Sequence, residues 1–176
     1  LEKETEMRPN PIDTILEYFS ELDWDHRFYP DDSSVDASYT GENGSWQCRA
    51  VWDQQAEIFC FYSFLPTSIP AERRWAMMEL ITRLNLGQRY GDFELDLSTG
   101  SLALRTYLLC REHGLDSKSI NDAVSGNLAL LDDHLHILMK LIYSDSSPME
   151  LWEEAVQEEN ARFGLEDDEE EDEERD

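Results

Sequence analysis

The groups in this chain that could do chemistry are four histidines, three cysteines and 40 acidic residues. His134 and His136 stand two apart in a helical stretch, so their side chains diverge by about 200° and cannot share a metal ion. His26 and His113 fall in connecting segments with no carboxylate at ligand spacing, and no histidine matches a zinc pattern. Cys48, Cys60 and Cys110 are odd in number and show neither a close pair nor a metal-type spacing. Cys48 and Cys60 lie in apolar, strand-like runs, where a free thiol behaves as a small buried hydrophobe. The expectation is reduced core thiols in a cytoplasmic protein, a compartment in which disulfides are rare. No Gly-x-Ser-x-Gly elbow is present, and no cysteine has the His and Asp setting of a nucleophile. Gly41-Glu42-Asn43-Gly44 reads as a hairpin turn, and no Gly-Lys-Ser or Gly-Lys-Thr follows it to hold a phosphate. Neighbouring acids such as Asp31-Asp32 and Asp132-Asp133 are expected from composition alone. The expectation is therefore a chain that is not an enzyme and that uses no cofactor or metal.

The charge carries more information. The 176 residues have a formal net charge of −26, and the run 166–176 contributes −9 through ten acids and one Arg, leaving −17 on the body. Phosphate backbones repel such a surface, because nucleic-acid affinity depends on Lys and Arg neutralising phosphates. Anionic membrane surfaces are disfavoured for the same reason, and no apolar run approaches the ~20 residues that span a bilayer. Basic polypeptides are the electrostatically favoured partners. The acidic run lacks the Asp, Gly and Glu periodicity of a calcium loop, and its composition predicts a disordered tail. Residues 1–6 are charged, precede the first Met at Met7, and show no apolar signal-peptide core.

The elements that would position any site follow from periodicity. Asn10, Pro11 and Asp13 form a helix start, with Asn10 as N-cap and Pro11 in the first turn. Ile12, Ile15, Leu16, Phe19 and Leu22 then make one apolar stripe, and Trp24, Phe28 and Tyr29 continue it as a cover for one end of the core. Residues 35–40 are a short strand, and Asn43-Gly44 suits a tight hairpin. In Ser45–Asp53, Trp46, Cys48, Ala50 and Trp52 alternate with Gln47, Arg49, Val51 and Asp53. After a Gln54-Gln55 turn, Ile58–Phe64 is apolar at nearly every position, which implies cover on both faces or a second apolar surface. Pro70 opens a helix to about Asn85 with Trp75, Met78, Ile81 and Leu84 or Asn85 inward. Two strands follow, with Phe93, Leu95 and Leu97 on one and Leu102, Leu104, Thr106 and Leu108 on the other. From Ser117, the series Ile120, Val124, Leu128, Leu131, Leu135, Leu138 and Ile142 predicts a long helix. Gly126 within it costs about 1 kcal/mol relative to Ala, and implies close packing or a bend. Pro148 starts a last helix with Leu151, Trp152, Ala155, Val156 and Phe163 on its apolar side.

The predicted fold is α+β: an antiparallel five-stranded sheet in the order α-β-β-β-α-β-β-α, with helices mainly on one face. Residues 1–9 are an unstructured or vector-derived lead, 10–147 the α+β domain, 148–165 an amphipathic helix, and 166–176 the disordered acidic tail. Aromatic residues supply the candidate site. Val51 opposes the inward Trp46 and Trp52, Phe59 and Phe61 share one side of the next strand, and Tyr107 sits beside Arg105. These four are expected to form an apolar patch on the second sheet face that contacts a homodimer partner or a client peptide. Either the patch is open, or a further layer covers it, for which the last helix with Trp152 as its anchor is the candidate.

The order and spacing of Pro70-Ala71-Glu72, Arg83-Leu84-Asn85, Gly91-Asp92-Phe93-Glu94-Leu95-Asp96 and Gly100-Ser101-Leu102-Ala103-Leu104-Arg105 resemble the YbjN family within the type III secretion chaperone-like fold. The resemblance covers Pro11 to about Tyr143, and the last helix and acidic terminus depart from it. YbjN proteins are described as sensory-transduction regulators. Secretion chaperones of this fold are small, acidic and commonly dimeric, and hold extended partner segments. The resemblance implies polypeptide binding without catalysis, chaperone-like or regulatory. The alternative is an acidic mimic that binds basic proteins through its charge and tail.

Overall fold

The computed structural model describes residues 9–164; the expected acidic tail and all of the expected lead but Pro9 lie outside them. Helix α1 (Pro11–Glu21) starts as predicted, with the Asn10 side chain accepting the Ile12 amide at 3.1 Å. It buries Ile15, Tyr18 and Phe19, whereas Leu22 caps its end and is exposed. Trp24 then folds back on Phe19, ring centroids 5.0 Å apart, and donates Nε1 to the Ser38 carbonyl.

The sheet has six strands, not the expected five. They are β1 (His26–Tyr29), β2 (Ser34–Thr40), β3 (Ser45–Asp53), β4 (Ile58–Phe64), β5 (Asp92–Leu95) and β6 (Leu102–Leu109). All pairs are antiparallel, in the order β1-β2-β3-β4-β6-β5. The additional strand is β1. It holds four residues, and its turn to β2 is a 3-10 turn (Pro30–Asp32) followed by Ser33 at φ 48°, not an Asn-Gly signal. Phe28 and Tyr29 thus belong to an edge strand. The Gly41–Gly44 turn is where it was predicted, closed by a 2.8 Å bond from the Gly41 amide to the Gly44 carbonyl. Asp132, in the long helix predicted from Ser117, accepts the Glu42 and Asn43 amides at 2.8 and 2.9 Å, which docks this hairpin on the helix layer.

Helix α2 (Arg74–Gly87) begins after a 3-10 turn (Ala71–Arg73) rather than at Pro70. Its inner face is Met77, Leu80, Ile81 and Leu84, and the expected inward Trp75 is 69% exposed. Four successive apolar residues, Trp75 to Met78, leave the phase of a helical stripe undetermined at that end. Helix α3 (Ser117–Tyr143) buries all seven predicted stripe residues. Its start is capped by Asp116, whose side chain accepts the Ser119 amide and hydroxyl and is thereby held below the usual carboxylate range. A Cβ at Gly126 would meet nothing within 4 Å, so close packing is not the reason for that glycine. Helix α4 (Pro148–Phe163) opens with a Ser147/Glu150 capping box and lies on α2 and α3, with Leu151 and Ala155 buried. It packs on the helix layer and not on the second sheet face, so it is not the cover that the sequence offered for that face.

One core joins these helices to a single side of the sheet. Asn127, fully buried, donates Nδ2 to the Leu104 carbonyl at 3.1 Å and the Phe61 carbonyl at 3.3 Å, fixing α3 over the β4–β6 junction. The β5–β6 hairpin is held by the same residues that made the sequence distinctive. Asn85 accepts the Phe93 amide at 2.8 Å and donates to the Phe93 carbonyl at 3.0 Å, as a neighbouring strand would. Gly100, at φ 80°, leaves room for the Ile69 carbonyl, 2.3 Å from where a Cβ would stand. Replacing Asn85 with Ala strips both main-chain groups of Phe93 of their outer partner. The expected result is a stability loss of about 1–2 kcal/mol, seen in denaturant melts, with faster exchange of the Phe93 amide. Unchanged Phe93 exchange would refute the role given to Asn85.

Candidate interaction surface

Alternation sorts every strand residue onto one of two faces. Inward are Trp46, Cys48, Ala50 and Trp52 of β3, paired across to Phe59, Phe61 and Ser63 of β4 and on to Leu104 and Thr106 of β6. Phe59 and Phe61 are therefore core residues, both 0% exposed beneath the helices, and not members of a contact surface. A strand apolar at both parities offers no internal sign of which parity faces in; the pairing Trp52↔Phe59 and Ala50↔Phe61 decides it. Trp152 is not at this surface either. It is half-buried on α4, with the Arg83 guanidinium 5.9 Å from its ring.

Val51 and Tyr107 do face outward, and Ile58, Tyr62 and Phe64 join them, as does Cys60, which was expected in the core but has the outward parity of β4. None of the six belongs to the core or packs against it. Val51 pairs with Cys60 and Cys60 with Tyr107, a band running across the three central strands. Tyr62 and Phe64 stack at 6.1 Å beside it, and Tyr107 and Leu109 are 51% and 69% exposed.

Two ion pairs flank this band. Arg49 grips both Asp36 oxygens at 2.6 and 2.8 Å, and Arg105 meets Glu94 at 2.9 Å. Arg27 lies 5.0 Å over the Tyr29 ring and Arg105 lies 5.7 Å from the Tyr107 ring. Such exposed pairs add little to stability, about 0–1 kcal/mol each. Their consequence is electrostatic: in a chain of net charge −26, this face sets two of the 14 cations, Arg49 and Arg105, directly against acids. An apolar, aromatic centre with neutralised flanks is a surface suited to protein contact.

Outside this face, His136 meets Glu158 at 3.1 Å, and Glu154 lies close enough for the three to converge within 4.8 Å. Sequence spacing gave no sign of this, since the carboxylates come from α4 and the imidazole from α3. The Lys140 ammonium sits on Glu154 at 2.6 and 2.9 Å, so the group works as an ion-pair seam between the two helices. Arg162 extends the seam to Asp133.

The three thiols are free and distributed between the faces. Burial pushes Cys48 up from 9.0 to about 11 and raises Cys110, while Cys60, half-buried on the open face, is also raised by desolvation. A thiol whose pKa the fold raises favours the native state only while protonated. The associated stability is full below 9.0 and is lost as pH climbs through about 11. Two outcomes are expected. Native protein treated with a thiol reagent should label Cys60 quickly, and Cys48 and Cys110 only on unfolding. Cys48→Ala should flatten the decline of stability between those pH values. Equal labelling of all three thiols would contradict this placement.

A model of the YbjN family, described as "Putative bacterial sensory transduction regulator", matches residues 11–136. The crystal structure of YbjN from E. coli superimposes with a TM-score of 0.58 at 10% identity, covering 75% of this chain and 91% of that one. The structure of the ExsC-ExsE complex provides a second likeness, TM-score 0.53 at 11% identity, covering 72% of this chain and 92% of the matched chain. A comparison with curated protein sequences finds no match. At such identities the structural likenesses establish the fold, and the family match over most of its length establishes that the chain belongs to the YbjN family.

Proposed function

We propose that this protein is a non-catalytic polypeptide-binding module, a chaperone-like or regulatory adaptor acting in the cytoplasm, whose contact surface is the uncovered sheet face. One observation carries the reading: the band Val51, Cys60, Tyr107, with Tyr62 and Phe64, lies on a face that no helix covers among the described residues. An antiparallel sheet can leave one face to water, but that face is then ordinarily polar. Here its centre is aromatic and aliphatic. The similarity in fold to a chain from the ExsC-ExsE complex supports a polypeptide as the occupant. The occupant is either a client peptide or a second copy of the chain.

A photo-crosslinking side chain placed at Tyr62 or Val51 tests this in cells. The expected product is one discrete polypeptide adduct at both positions and none at Lys118, an exposed residue in the first turn of α3. The adduct at Tyr62 should persist from low to physiological salt, because apolar contact is screened far less than attraction between exposed charges. In that background Val51→Glu should cut adduct yield by about tenfold, the effect of one desolvated charge at roughly 1.4 kcal/mol or more. Absence of any adduct at Tyr62 and Val51 would end this reading. An adduct that vanishes at physiological salt would favour the charge-driven alternative, in which the acidic body holds basic proteins without using the sheet.

A further inference from the structure

Strand β5 ends too soon to cover β6. It pairs from Leu95↔Leu102 to Asp92↔Arg105, whereas β6 runs on to Leu109 and stays paired with β4 as far as Ile58↔Leu109. On the β4 side, the Leu102 carbonyl accepts from the Leu65 amide, and the Cys110 amide donates to the Glu57 carbonyl. The register between them is unbroken, so alternation turns the N–H and C=O groups of Tyr107 and Leu109 to the opposite, open edge. Among the described residues no strand lies there. The other rims are managed differently. Asn85 occupies both groups of Phe93 on β5, and β1 is four residues long and ends at Pro30.

Where β5 is missing, a cleft of about 590 Å³ opens between residues 106–109, the connection 88–91 and Asp122, Ala123 and Gly126 of α3. A second cleft of about 230 Å³ shares Gln88, Tyr90 and Gly126 with it and runs along α3 to Ala155 and Arg162 of α4. The two clefts adjoin at these shared residues. Gly126 lies at the junction. It is neither close-packed nor in a left-handed conformation, yet a glycine inside a helix costs about 1 kcal/mol relative to Ala. A larger side chain there would project into the space that both clefts share. The walls are acidic: Asp92, Asp122, Asp133, Glu158 and Glu159 against Arg89 and Arg162, the latter already paired with Asp133.

We propose that this groove receives an extended, basic polypeptide segment that adds as a strand to the free edge of β6 at Tyr107 and Leu109. Alternate side chains of such a strand would face Leu108, Ala123 and Gly126 on the α3 side, a site for apolar residues, and the open face beside Asp92, a site for Lys or Arg, with Asp122 adding negative charge at the α3 wall. The proposal rests on the polypeptide-binding reading and adds to it a main-chain mode of capture and the composition of the captured segment.

The test uses the full chain and a blocked, fluorescein-labelled peptide of alternating Lys and Val. Anisotropy should show saturable binding below about 1 mM, and Gly126→Leu, which fills the shared space, should weaken it by about tenfold or more. The melting temperature of this variant should stay level or rise, since Leu is the better helix former. The same peptide with its amides methylated along one edge should lose comparable affinity while keeping its charge. The amides of Tyr107 and Leu109 should gain protection from exchange in the complex. Should Gly126→Leu fold poorly, the Asp92→Asn/Asp122→Asn variant provides an independent arm, with weaker binding expected. Unaltered binding to Gly126→Leu, equal binding of the methylated peptide or of an alternating Lys and Gly peptide, unprotected amides at Tyr107 and Leu109, or no binding by about 1 mM would each overturn the proposal. The crosslinks at Tyr62 and Val51 separate the two readings: if they persist while the groove fails, the partner uses the sheet face alone, and if both fail, neither reading stands.

Discussion

The register of β4 between β3 and β6 is the constraint on which the rest of the molecule depends. A one-residue slip in a strand exchanges its two faces. With Trp52↔Phe59 and Phe61↔Thr106 in place, the inward faces of β4 and β6 pack on α3 and that of β3 on α1, and Asn127 reaches the carbonyls of Phe61 and Leu104. The same register obliges Cys60, Tyr62 and Phe64 to leave the core, although they are as apolar as the residues that stay. Burial of one face and exposure of an aromatic band on the other are therefore a single outcome of one pairing. Mutating the band changes what the protein can touch, whereas mutating Phe59 or Phe61 changes whether it folds.

The residues that made the family legible are structural. Asn85 completes the edge of β5, Gly91 stands where a Cβ would be 2.6 Å from the Arg105 carbonyl, and Gly100 yields to the Ile69 carbonyl. Arg74 ties the turn after β5 to α2 through the Leu97 and Ser98 carbonyls. Each serves the β5–β6 hairpin and its seat against α2. A family motif of this kind identifies a fold and carries no information on the partner. The functional reading has to come from surfaces that the motif leaves untouched.

Much of the architecture was legible in the sequence because it rests on local periodicity. The bounds of β3 and β4, the start of α1 and the complete α3 stripe follow from alternation, capping and 3.6-residue spacing. What escaped was set by tertiary contact. Strand β1 is four residues without a turn signature, and the phase of α2 was obscured by four adjacent apolar residues. The candidate site was half legible: Val51 and Tyr107 lie on the open face, but Phe59 and Phe61 do not. That error could have been avoided. Any turn with an even number of residues pairs the odd positions of β4 with the even positions of β3, placing both Phe residues beside Trp46 and Trp52. The role of Asp132 could not have been found this way, since its partners lie some 90 residues away at Glu42 and Asn43. Nor could the junction at Gly126, because an open space beside a helix has no sequence signature.

The acidity of the chain and its open apolar face make sense together. Exposed aromatic surface and an unpaired strand edge both invite association with like molecules. A body at −17 before its acidic terminus opposes this through mutual repulsion between copies, over a range of about 8–10 Å at ordinary ionic strength. The same field would draw in the basic segment proposed for the groove. Local neutrality of the band, through Arg49–Asp36 and Arg105–Glu94, then lets apolar contact form at close range without burying an unpaired charge. Selectivity in such an arrangement has two stages, a long-range choice by charge and a short-range choice by shape. A partner that satisfies only the first is held as loosely as salt allows.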